Sequence, residues 1–80
     1  MQRSMIVVRA LWDAEAEVWV ATSEDLPGLV TEADTPQALM AKLHTMIPDL
    51  LEEDETDFAG LLEIPVMLMS EQFGMIRLRA

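Results

Sequence analysis

The hydrophobic period changes once in this chain, at Asp34–Thr35–Pro36, and that change constrains the fold more than any other feature. Ahead of it, apolar residues alternate with period two, as side chains do on a pleated strand. Beyond it they return every three or four residues, as along one side of a helix. In "MIVVRALW" (5–12), Ile6, Val8, Ala10 and Trp12 share one face of a strand, and Met5, Val7, Arg9 and Leu11 share the other. "DAEAE" (13–17) is a polar connection. "EVWVATS" (17–23) reads as a second strand, with Val18 and Val20 facing opposite to Trp19 and Ala21. In "DLPGL", Pro27 presets φ for the first central position of a turn, and Gly28 accepts positive φ at the second. "LVTEA" (29–33) is a third, short strand, so the first three form an antiparallel meander.

The helical pattern places Leu39, Leu43, Met46, Ile47 and Leu50 on one stripe. Thr35 is a good N-cap, and Pro36 suits the first helical position, where its missing N–H costs nothing. Pro48 removes the hydrogen bond to the carbonyl of His44 and crowds that turn. At about 100° per residue it lies nearly opposite Leu39, Leu43 and Leu50. The pattern therefore predicts one kinked helix, or two short ones meeting near Ile47. "EEDETD" (52–57) ends the helix and reads as a solvated linker. A calcium loop would need Gly at its sixth position, and counting from Glu53 that position is Phe58. "LLEIPVMLMS" (61–70) is a longer strand with Leu62, Ile64, Val66 and Leu68 on one face. Pro65 cannot donate to a ladder, which assigns this strand to a sheet edge or a bulge. "MIRLRA" (75–80) alternates cleanly and predicts an additional strand, turned by "EQFG". The order β-β-β-α-β describes one α+β domain over residues 1–80, with a helix on one face of a mixed sheet.

A single helix covers a single face. The uncovered face collects Met5, Val7, Leu11, Trp19, Ala21, Met67 and Met69, a large apolar set for a monomer to leave wet. With 51% hydrophobic residues in only 80, a small core cannot absorb them all. The composition points to a homodimer or higher assembly with Met5, Val7, Leu11, Trp19, Met67 and Met69 at the interface. Fifteen acids against five bases give a net charge of −10. Phosphate backbones are bound by Lys and Arg, so direct nucleic-acid binding is not expected; a basic partner is, alongside the simpler role of acids in solubility. No run approaches the ~20 apolar residues of a membrane span, and no signal peptide is evident, which predicts a cytoplasmic protein.

Chemistry is sparse. There is no Cys, and His44 is the only His, so thiolate chemistry is excluded and no zinc ligand set presents itself. No base stands beside Ser4, Ser23 or Ser70 in sequence, and three glycines make no phosphate loop. Glu24 and Asp25 point to opposite sides of an extended chain. Asp34 suits the positive end of the helix dipole. These observations predict no catalytic residue, no metal and no cofactor. Among the seven methionines, Met40 and Met46 fit ordinary packing, whereas Met67 and Met69 suit contact with another chain.

The stretch "ALWDAEAEVWVATSEDLPGLVTEADTPQALMAKLHTMIPDLLEED" resembles the HicB-like antitoxin domain. There an acidic loop joins two strands, followed by a "DLPG" corner and a "T-x-x-D-T" run into a helix; here those pieces are Trp12–Glu17, Asp25–Gly28 and Thr31–Thr35. "VWVA", "PGLVTEADT" and "IPDLL" are similar to a small bacterial branch of stand-alone HicB-like domains without assigned function. The resemblance covers about residues 5 to 70. It implies a partial ribonuclease-H-like β-β-β-α-β arrangement with strand order 3-2-1-4, and a non-enzymatic role in a toxin–antitoxin system: binding and blocking a small basic ribonuclease toxin. Glu24, Asp25, Glu32 and Asp34 would then form the partner-binding surface. Full HicB antitoxins continue into a ribbon-helix-helix or helix-turn-helix module; no second helical unit follows here, so operator binding is not expected. The alternative is a stand-alone oligomeric structural or regulatory domain without a toxin partner.

Overall fold

The computed structural model describes residues 5–53 and 63–79. β1 (Ile6–Asp13) is the central strand: the β-rich run folds β2 (Val18–Thr22) back against one side of it, and β4 (Val66–Glu71) lies parallel on the other. β3 (Val30–Ala33) pairs antiparallel with β2, which gives the sheet order β3-β2-β1-β4. This is the expected 3-2-1-4 order, with β4 at an edge. Pro65 stands just ahead of that strand, where its carbonyl accepts the N–H of Ile6 at 3.0 Å.

Local chemistry explains the connections. Asp13 Oδ1 accepts the N–H groups of Glu15 and Ala16 at 3.0 and 3.2 Å, and its carbonyl accepts that of Glu17 at 2.8 Å. This side-chain-stabilised turn closes the β1–β2 hairpin with Glu17 at φ 56°, the left-handed region that side chains other than Gly and Asn resist. In the Leu-Pro-Gly corner, the Leu29 N–H reaches the Leu26 carbonyl at 3.1 Å and Gly28 has φ 95°. These are the marks of a type II turn with Pro and Gly at its centre.

The helix α1 (Pro36–Glu53) is one element with Pro48 inside it. Its N-cap is as expected: Thr35 Oγ1 accepts the Ala38 N–H at 3.0 Å. Leu39, Leu43 and Ile47 are buried, Met46 and Leu50 are half-buried, and Pro48 is exposed. Proline is thereby kept on the solvent side, where a lost hydrogen bond is compensated by water. The helical stripe packs on Ile6, Val8 and Ala10 of β1, Ala21 of β2 and Ala33 of β3. Leu26 and Leu29, which flank the turn, complete this core. Each fully buried leucine contributes roughly 1.5–3 kcal/mol of transfer free energy.

Three expectations change. Trp19 and Ala21 do not lie on the uncovered face. Trp12 pairs with Trp19 and Ala10 with Ala21, so both sit on the helix side, where the two indole rings meet edge-on at 5.4 Å. The partners of Leu11 and Asp13 are Val20 and Val18, and these β2 residues share the open face instead. Residues 75–79 form no strand: they follow β4 without joining the sheet. Alternation makes a segment fit for a strand, but residues 72–79 do not turn back onto the open edge of β4. The linker acids from 54 to 57 and Leu62 lie outside the described residues.

Candidate functional site

The uncovered side of the sheet follows from the register. On β1, Val7, Arg9 and Leu11 point away from the helix, because Ile6, Val8 and Ala10 point into it. Val7 pairs with Met67 and Arg9 with Met69, which puts both methionines beside them. Leu11 is 60% exposed and Met67 46%. Met5, just ahead of β1, and Val30 on β3 are exposed as well. Five of the six residues expected at an interface therefore share one surface, and Trp19 lies on the opposite side. Arg9 also meets Glu71 across this surface at 3.6 Å, an exposed pair whose contribution is small.

The four carboxylates divide. Beyond Thr22 the backbone of β2 leaves β1, although β1 continues to Ile6. The corner's side chains extend the ladder: Asp25 Oδ2 accepts the Val7 N–H at 2.8 Å, and Ser23 Oγ donates to the Val7 carbonyl at 2.6 Å. The Asp25 N–H in turn reaches Ser23 Oγ at 3.2 Å. Asp25 is half-buried and serves the scaffold, whereas its neighbour Glu24 is exposed. Glu32 and Asp34 are exposed also, Glu32 on the open face beside Val20. Asp34 follows the end of β3 that pairs with Trp19, and Glu24 follows the end of β2 that pairs with Val30. The four-residue β3 lies between, about 10 Å at the rise of a strand. The acids thus border the surface at two ends and do not form one cluster.

Lys42 bridges helix and sheet edge, its ammonium donating to the Glu32 carbonyl. His44 is exposed on the solvent side of α1. Among the described residues, no three His, Cys, Asp or Glu side chains stand close enough to hold a metal ion, and no described helix is long and apolar enough to cross a membrane.

Residues 5–78 match a family described as a domain of unknown function, DUF1902. The chain belongs to the DUF1902 family. The match spans all four strands and the helix of this DUF1902 domain, so the surface described above is built entirely from residues within it. A hypothetical protein from the extremely thermophilic bacterium Thermus thermophilus, known from its crystal structure, is 49% identical in sequence with a TM-score of 0.67; the match covers 92% of this chain and 99% of that one. No curated protein matches.

The sequence identified the apolar residues of β1 and β4 on this surface but not Val18 or Val20, and it treated Asp25 as a surface acid. The signal for Asp25 was its spacing from Ser23 after a strand end, a pattern in which short polar side chains take over backbone hydrogen bonds.

Proposed function

We propose that this chain is a non-enzymatic protein-interaction domain, an antitoxin-like binder of a small basic ribonuclease. The observation that carries this reading is an exposed apolar sheet face bordered by Glu24, Glu32 and Asp34 on a chain of net charge −10. Apolar contact would supply affinity, and the border acids would steer a basic partner and reject acidic ones. Asp25 acts indirectly, by holding the corner that presents Glu24. The HicB-like order of motifs supplies the class of partner, and such a partner places the pair in the cytoplasm.

The test is capture from the native host at low salt, followed by an RNA-cleavage assay on the captured protein. The expected result is a basic protein whose cleavage of RNA stops when this chain is added. Glu24→Gln with Glu32→Gln should slow association and flatten its salt dependence. Failure to capture any basic ribonuclease would overturn the antitoxin reading.

The same apolar face favours a second reading, a stand-alone oligomer in which copies of the chain cover one another's sheets. That reading expects an assembly of two or more chains with no ribonuclease bound.

A further inference from the structure

The segment after β4 has no place in its own chain. Phe73, Met75, Ile76 and Leu78 are 85%, 86%, 85% and 83% exposed, and residues 72–79 pair with no strand of the sheet. Its pattern is nevertheless that of a strand. Even-numbered Ile76 and Leu78 have the parity of Val66 and Leu68, which pack against the core; odd-numbered Phe73 and Met75 have the parity of Met67 and Met69 on the open face. The segment also carries Arg77 and Arg79, two of the five basic residues, and all fifteen acids precede it. A basic, apolar arm follows a strongly acidic body.

We propose that residues 72–79 form an exchanged arm, adding as an antiparallel strand to the outer edge of β4 in a second copy of this chain. This names the means of self-association and rests on the second reading above. Among the described residues the sheet has two edges, β3 and β4. β3 is guarded by the Lys42 side chain, which occupies the Glu32 carbonyl in the manner by which lysines blunt sheet edges. β4 has β1 on one side and no strand on the other among the described residues. A two-fold axis at Gln72 sets Ile76 opposite Leu68, Leu78 opposite Val66 and Met75 opposite Met69. Each arm then lengthens the core side of its partner with Ile76 and Leu78, and the open face with Met75. Arg79 falls diagonal to Glu63, an exposed acid just ahead of β4. The exchange is reciprocal and closes as a dimer, as an isologous contact must.

Sedimentation equilibrium of the whole chain at micromolar concentration is the first measurement, and it should give twice 9.0 kDa. Ile76→Asp with Leu78→Asp should return a folded 9.0 kDa monomer, with its circular dichroism retained because both side chains are exposed within one chain. The chain has no cysteine of its own, so Met69→Cys with Met75→Cys offers a clean second test. Mild oxidation of that double variant should yield a covalent pair of chains, and neither single variant should. A wild-type monomer overturns both the arm and the self-association reading. A dimer that survives the Asp substitutions overturns the arm and leaves self-association through the open face standing. Absence of the covalent pair, or its formation by either single variant, overturns the pairing with β4.

Discussion

The carboxylate of Asp25 accepts the backbone N–H of Val7 at 2.8 Å, across eighteen residues of sequence. Together with Ser23 it supplies both hydrogen bonds that β2 no longer offers to that residue. Asp25→Ala leaves a half-buried N–H without its charged acceptor and should cost about 2 kcal/mol. Asp25→Asn keeps an acceptor and should cost less. Urea denaturation would show the midpoint falling with an unchanged slope. Glu24→Gln, one residue away on the exposed side, should leave the midpoint where it is.

Gly28 tests the corner by another route. A Cβ there would meet nothing within 4 Å, so sterics with other parts of the molecule play no role in Gly28→Ala. The backbone φ of 95° alone resists the substitution, at roughly 1–2 kcal/mol. Gly28→Asn should lose less, since Asn tolerates the left-handed region. The lowered thermal midpoint of the Ala variant, with that of Asn between it and the wild type, is the expected order.

Pro48 lies within α1 on the exposed side. Pro48→Ala restores an N–H for the carbonyl of His44 and removes the ring's clash with the preceding turn. The gain should be about 1–3 kcal/mol, which for a domain of this size raises the melting temperature by several degrees. If α1 needs its proline to follow the sheet, the variant would instead melt lower, as Leu39 and Ile47 lose simultaneous contact with the core.

Glu17 holds a left-handed conformation at the hairpin with a φ of 56°. Glu17→Gly removes that strain and adds freedom to the unfolded chain, and the two effects oppose each other. The strain is the larger, so the variant should be more stable by up to about 1 kcal/mol. Asp13→Ala should act in the opposite direction at the same turn, since it deletes the oxygen that accepts from Glu15 and Ala16.

The strands, the helical stripe and the Thr35 cap were legible because each rests on a local period or a local hydrogen bond; the strand order followed only from the family resemblance. The facing of Trp19 was not legible. Alternation says which residues of one strand share a face, but not which face of β2 continues which face of β1. That is decided by the hairpin, whose closing pair Asp13–Val18 sets Trp12 opposite Trp19. A connection one residue shorter would turn every β2 side chain over. The role of Asp25 was hidden for a related reason: it depends on where β2 departs from β1, a property of two strands and a corner together. The alternation over 75–80 was legible too, but alternation does not say whether a segment turns back onto a sheet edge, and residues 75–79 do not.

The facing of β2 gives the last prediction. Trp19 is half-buried against the core, whereas Leu11 is 60% exposed on the other side. Trp19→Ala should therefore cost about 2–3 kcal/mol, somewhat below the range for a fully buried tryptophan. Leu11→Ala should cost well under about 1 kcal/mol in a monomer, as surface substitutions do. Chemical denaturation at low protein concentration separates the two, because dilution removes any contribution from a second copy. Were Trp19 on the open face, the order of the two losses would be compressed or reversed. If copies of the chain cover one another's open faces, Leu11→Ala should cost more at high protein concentration than at low. Trp19→Ala should show the same loss at both.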